Sequence, residues 1–121
     1  MTIYIGGAGH GMAALCEKET GRTPVPCTPE AALSAPAIDG FEMLVRALVE
    51  RGDDAQAFAR SLLAENPDCV LCCAEIGGGI VPLDPVERRW REETGRALGI
   101  LAAAPGTRVV RVWYGLGEVL K

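Results

Sequence analysis

Three stretches of this chain hold residues whose types and spacing could do chemistry: Gly6-Gly-Ala-Gly-His-Gly11, Asp39-Gly40, and Glu75 to Pro82. The first lies between a β-branched and aromatic run, Thr2-Ile-Tyr-Ile5, and a run of good helix formers, Met12-Ala-Ala-Leu-Cys-Glu-Lys-Glu19. Backbone N–H groups in a glycine turn that opens a helix bind anions, aided by the positive end of the helix dipole. Gly6, Gly7, Ala8, Gly9, His10, Gly11, Met12 and Ala13 are therefore candidate phosphate-binding residues. A working phosphate loop continues with a lysine that neutralises the β- and γ-phosphates and a hydroxyl that binds Mg²⁺. Met12 and Ala13 stand in those two places. The spacing predicts a cradle, and the residue types predict no phosphoryl transfer. The competing reading is a plain strand-to-helix turn. His10, the single histidine, is a candidate acid, base or anion donor near neutral pH, or else a polar surface residue.

Glu75 ends an apolar run, Cys69-Val-Leu-Cys-Cys-Ala74, and precedes three glycines. A carboxylate there is costly unless it faces a cleft or a partner, which makes Glu75 the strongest candidate for a functional side chain. Asp39 has two readings: the acid of a second nucleotide motif, holding a metal through water, or the N-cap of a helix beginning near Phe41. Cys69 and Cys72 have C-x-x-C spacing, but on a strand they point to opposite faces, and no second pair completes a zinc site; core packing is the expectation, and no metal ligands are assigned. Arg88, Arg89 and Arg91 around Trp90 read as a solvated helix face with Trp90 turned to the core, or as a basic patch if that helix borders the cleft.

The elements that must position these residues follow from pattern. Thr2–Ile5 is a first strand, and a helix follows the glycine turn. Pro24, Pro26, Pro29 and Pro36 mark a surface connection with one helical turn near Pro29–Leu33. Ala37-Ile38-Asp39 is the end of a second strand. Phe41, Leu44, Val45, Leu48 and Val49 have amphipathic-helix spacing closed by Gly52. Asp53 with Gln56 resembles a capping box for the next helix, which ends before Pro67. The Cys69–Ala74 run suits a strand buried on both faces. Asp84-Pro85-Val86-Glu87 starts a helix running to about Ala104, and Arg108–Tyr114 is the last strand before a glycine-rich tail. Strands alternating with helices predict one α/β domain over residues 1–121, with a mainly parallel sheet flanked by helices. Ligands then sit at the carboxyl ends of the strands.

Bulk properties narrow the class. A chain of 121 residues can bury one hydrophobic core. A formal charge of −4 argues against a nucleic-acid partner and lends nothing to binding an anionic membrane. No apolar stretch approaches the length of a membrane span, and Met1–Ile5 lacks a signal-peptide pattern. Five cysteines, an odd number in such a chain, read as reduced thiols in a cytoplasmic protein.

Set together, these residues resemble the adenosylcobinamide kinase/adenosylcobinamide-phosphate guanylyltransferase family of cobalamin biosynthesis. Glu75-Ile-Gly-Gly-Gly-Ile-Val-Pro82 is similar to the family's N-E-V-G-x-G-I-V-P. Glu87-Arg-Arg-Trp-Arg91, Gly95-Arg96 and Ala102-Ala-Ala104 resemble its R-R-[FW]-R helix, downstream G-R and alanine run. Gly115-Leu-Gly-Glu-Val-Leu-Lys121 is similar to its closing G-L-P-L-R-L-K, and Gly6–Ala13 to its G-G-A-R-S-G-K-S. Asp39 falls where the family's D-C-L-T begins. The resemblance implies a RecA-like P-loop fold of three layers, GTP or ATP with Mg²⁺, a corrinoid substrate and often a trimer. Family members phosphorylate adenosylcobinamide, then transfer GMP through a guanylylated histidine. The departures fall on the catalytic parts: Met12, Ala13, Ala74 in place of the asparagine, Gly95-Arg-Ala-Leu-Gly99 in place of G-R-x-N-Q, and no histidine in the Pro-rich connection. The expectation is a shortened relative without kinase or guanylyltransferase activity that binds a nucleotide, an anion or a corrinoid in a regulatory role. The alternatives are a surviving nucleotide-dependent transferase using His10 or Glu75, and a structural subunit of a homo- or hetero-oligomer.

Overall fold

The computed structural model describes residues 1–76 and 83–121; the Gly77–Pro82 part of the segment singled out above lies outside them. The elements run β1 (Thr2–Gly6), α1 (Met12–Thr20), α2 (Pro29–Ala32), β2 (Ala37–Ile38), α3 (Phe41–Arg51), α4 (Ala55–Glu65), β3 (Val70–Ala74), α5 (Pro85–Ala103), β4 (Arg108–Trp113) and β5 (Leu116–Val119). The strands form one sheet in the order β2-β3-β1-β4-β5. The first four are parallel, and β5 runs antiparallel to β4. Helices intervene between successive parallel strands because a parallel pair needs a long crossover. The chain leaves β1 toward β2 and leaves β3 the other way, past β1, to β4. Connections that diverge from adjacent strands open a crevice at their carboxyl ends, here between β1 and β3.

Period-two alternation builds two cores. Ile3, Ile38, Leu71 and Cys73 join Phe41, Leu44, Val45, Leu48, Leu62 and Leu101 from α3, α4 and α5. Tyr4, Val70, Cys72, Val110 and Val112 face the other way and pack with Cys16 of α1. Tyr4 Oη donates to Glu19 Oε1 at 2.7 Å, tying α1 to the sheet. Cys69 and Cys72 fall in different cores, as the strand reading of their spacing requires. Burial pushes the Cys69 thiol up to about 11 and the Cys73 thiol up to about 12, and it raises Cys72 as well, so these are unreactive packing groups.

Most elements fall where their patterns place them, with three corrections. Helix α4 is capped by Asp54, whose carboxylate accepts from the Gln56 and Ala57 amides at 2.9 and 3.1 Å. Asp53 instead meets Arg51 Nε at 3.0 Å on the surface. Helix α3 is entered through Gly40 without any side-chain cap, so Asp39 does not cap it. The glycine-rich tail is not a tail: Leu116–Val119 is a strand, joined to β4 by a two-residue turn at Tyr114-Gly115. Both turn residues have positive φ, 50° and 77°, the signature of a type I′ hairpin. A non-glycine first residue hides that signature in the sequence.

The capping assignment is testable by urea denaturation. Asp54→Ala should cost about 1 kcal/mol, whereas Asp53→Ala should stay within about 0.5 kcal/mol of the parent.

Candidate functional site

The glycine turn begins where β1 ends. Gly6 is buried beside β4, and a Cβ there would lie 2.6 Å from the Val112 carbonyl oxygen, so no other residue fits. Gly7 to His10 form a tight turn in which the His10 amide donates to the Gly7 carbonyl at 3.3 Å. Gly9, third in that turn, has φ 78°, the conformation that a type II turn demands at this position. Gly11 precedes α1 without a side-chain cap, and the first helical bond runs from the Leu15 amide to the Gly11 carbonyl. The amides of Met12, Ala13 and Ala14 therefore have no partner within the helix. Met12 packs against the core beneath α1, so the residue in the lysine position lies against the sheet.

His10 is pinned to the β4–β5 hairpin. Its Nδ1 accepts from the Tyr114 amide at 3.3 Å, and its carbonyl accepts from the Gly115 amide at 2.7 Å. The His10 and Tyr114 rings stand 4.7 Å apart. With Nδ1 accepting, the neutral ring carries its proton on Nε2. His10 thus has a structural task in addition to whatever its Nε2 meets.

Glu75 follows the last residue of β3. Its amide donates to the Gly6 carbonyl at 2.9 Å, which locks the strand end to the turn. Its carboxylate lies 3.2 Å from Arg111 Nε, and Arg111 Cζ stands 4.5 Å above the Trp113 ring. Glu75 is thus exposed rather than buried at the strand end, its side chain about 42% accessible, and it meets Arg111 from the neighbouring side of β1 as a half-open ion pair. Gly6, Gly7, His10, Glu75, Arg111 and Trp113 line a cavity of about 170 Å³ at the carboxyl edge of the sheet. Sequence reasoning brought the turn, His10 and Glu75 into view and missed Arg111. Arg111 is one of two arginines in β4 and shares a face with Val109 and Trp113, and nothing local in that pattern points to Glu75.

A second cavity of about 260 Å³ adjoins it, in the crevice between β1, β3 and α5, and Glu75 borders both. Ile5, Ala74, Ile76 and Leu98 give it apolar walls. Arg91 borders it, with Nε donating to the Ile76 carbonyl at 2.7 Å, so α5 does border the cleft, as the basic-patch reading required of it. Arg88 and Arg89 stay exposed, and Trp90 packs inward with Nε1 donating to the Glu42 carbonyl at 2.7 Å. Thr94 lines the same cavity at 2% exposure, and its hydroxyl oxygen has no hydrogen-bond partner among the described residues. A buried hydroxyl left in this way is a place for a water or a ligand atom.

Asp39 lines neither cavity. It follows β2, with its amide donating to the Val25 carbonyl at 3.0 Å. The acid that reaches the end of β3 is Glu42, in the first turn of α3. It is 8% exposed, and its carboxylate accepts from the Ala74 amide at 3.3 and 3.5 Å. Burial raises its pKa, against the lowering effect of the Ala74 amide. The heptad-like pattern of α3 conceals Glu42, because a charged residue beside Phe41 reads as the polar face.

Mg²⁺ with a triphosphate does not fit the residues present. Met12 and Ala13 supply neither a cation nor a hydroxyl, and no group of three His, Cys, Asp or Glu side chains gathers to hold a metal ion among the described residues. Phosphate binding would rest on backbone amides and Arg111.

Two outcomes follow from this geometry. His10→Ala should lower stability in urea by about 1 kcal/mol, the worth of one hydrogen bond. For Glu42 the raised pKa gives the sign: its contribution to stability is full below the unfolded value and falls away as pH rises through the folded value. Urea midpoints of Glu42→Gln and the parent should nearly coincide at pH 4 and separate at pH 7, with the variant more stable.

Compared with models of known protein families and with curated proteins, the chain matches none.

Proposed function

We propose that the chain is a shortened, catalytically silent relative of the adenosylcobinamide kinase/guanylyltransferase family, with a P-loop-type ancestry. In this reading it is a binding protein for a small phosphate-bearing ligand, a nucleotide or a corrinoid phosphate. The observation that carries the reading is the cavity where the glycine turn, Glu75 and Arg111 meet, at the carboxyl ends of three parallel strands. At about 170 Å³ this space takes a phosphate-sized group and not a whole nucleotide. The adjoining cavity of about 260 Å³, with mainly apolar walls and a Thr94 hydroxyl that has no partner among the described residues, would take the ring portion of the same ligand. Gly11, Met12, Ala13 and Ala14 at the start of α1 do not line the phosphate-sized space, while the Arg111 guanidinium favours the anion. Glu75 opposes it and would have to share Arg111.

Binding is favoured over turnover because the groups able to do chemistry are already engaged. The His10 Nδ1 holds the hairpin, Glu75 is held by Arg111, and the lysine and hydroxyl positions are Met12 and Ala13.

Calorimetry on the full chain with GTP, ATP, orthophosphate and cobinamide, with and without Mg²⁺, tests this. Heat with at least one phosphate ligand is expected, with little dependence on Mg²⁺. Glu75→Gln should tighten that ligand by up to about tenfold, about 1.4 kcal/mol, by releasing Arg111. Adding the lysine and hydroxyl in Met12→Lys with Ala13→Ser should raise triphosphate affinity and give little kinase activity. No heat with any of the four would end the binding reading. Turnover of adenosylcobinamide with ATP or GTP that vanishes in His10→Ala would replace it with the transferase reading.

A further inference from the structure

The two edges of the sheet are finished differently. At the β2 edge, Val25 bridges to Ile38, its amide donates to the Ala37 carbonyl, and its carbonyl accepts from the Asp39 amide. Arg22 Nη1 adds bonds to the Pro36 and Asp68 carbonyls at 3.3 and 2.7 Å. At the β5 edge no described residue covers the strand, and all four of its residues are exposed. Proteins normally blunt a bare edge with proline, lysine, a bulge or a covering loop. Within β5 there is one charge, Glu118, and its register with β4 is unbroken from Val110↔Val119 to Trp113↔Leu116. Only beyond it do two successive amides, Leu120 and Lys121, share the Val109 carbonyl, the pattern of a bulge.

The hairpin fixes which groups look outward. A two-residue turn makes Trp113 and Leu116 a hydrogen-bonded pair, and such pairs alternate with non-bonded ones along an antiparallel ladder. Leu116 and Glu118 therefore bond back to β4, while Gly117 and Val119 turn their N–H and C=O groups away from it. Around them are Trp113 (46% exposed), Tyr114 (81%), Leu116 (75%), Val119 (57%) and Leu120 (56%). Trp113 and Leu116 stand on one face of the ribbon and Val119 on the other, and of these residues Leu116, Val119 and Leu120 flank the edge itself, with on the order of 300 Å² exposed between them. Covered on two copies, with the backbone between, that is the size of a weak, concentration-dependent contact.

We propose that β5 pairs antiparallel with β5 of a second copy of this chain, extending the sheet across a two-fold axis. A self-complementary edge closes as a dimer and does not propagate, because β2, the other edge, is covered. Pairing with the axis at Glu118 would set two carboxylates opposite one another, which is unfavourable. An axis at Gly117 sets Leu116 against Glu118 and joins outward amides to outward carbonyls. The groove of about 290 Å³ bordered by Trp113, Leu116, Gly117 and Glu118 then receives side chains of the facing strand. This inference is independent of ligand binding.

Sedimentation velocity on the full chain from micromolar to millimolar should show a monomer passing to a dimer. Hydrogen exchange read by NMR over the same series should show the Gly117 and Val119 amides slowing with concentration, and those of Leu116 and Glu118 protected throughout. Leu116→Lys with Val119→Lys should weaken the dimer at least tenfold, about 1.4 kcal/mol, with the circular dichroism and melting temperature of the monomer unchanged. A monomer throughout, a trimer, or a dimer in which the Gly117 and Val119 amides stay fast would each overturn the proposal. The exchange data on the parent decide the matter even if the double variant misfolds.

Discussion

Everything at the carboxyl edge depends on β1 being paired on both sides. Thr2–Gly6 meets Val70–Ala74 on one flank and Arg108–Val112 on the other. That register sets Gly6 level with Ala74 and Val112, so the next residue of each segment, Gly7, Glu75 and Trp113, converges on the same edge. It also decides which side chains enter which core. A slip of one residue would exchange Ile3 with Tyr4 and send each to the wrong layer of helices. The close approach of Val112 to Gly6 makes such a slip costly, since only glycine can stand there.

The same convergence explains why the glycine turn is no ordinary phosphate cradle. Its His10 amide closes on Gly7, and its His10 carbonyl and ring nitrogen hold the hairpin. A loop that serves as a clasp between β1 and β4–β5 has fewer donors to offer an anion. The positive charge at this edge comes from Arg111, on another strand, and not from the loop.

The elements were largely legible because their signals are local. Proline and aspartate at the start of α5, the amphipathic spacing of α3, the proline-rich connection and the apolar run of β3 each name their own structure. The misreadings arise where a choice depends on distant atoms. Asp53 and Asp54 are both plausible caps, and the surface pairing of Asp53 with Arg51 leaves the cap to its neighbour. Tyr114 takes a positive φ with its amide bonded to His10 and its ring beside the imidazole, and nothing near it in sequence announces a turn. Of the candidate site, His10, Glu75 and the glycines could be found by type and spacing. Arg111 and Glu42 could not, because their meaning comes from what the sheet places beside them: a carboxylate in one case, a strand-end amide in the other. Asp39 shows the converse, a well-placed residue in sequence that lies apart from both cavities.

The clasp between His10 and Tyr114 spans a sequence separation of 104 residues. Contacts of that range form late, because the chain must first meet the entropy of closing a very long loop. As the polypeptide leaves the ribosome, the glycine turn is made about a hundred residues ahead of its far wall. Neither Arg111 nor the hairpin exists to close the cavity until β4 docks against β1. The pocket therefore exists only once β4 has docked, and a chain synthesised no further than β3 has no version of it with which to capture a ligand.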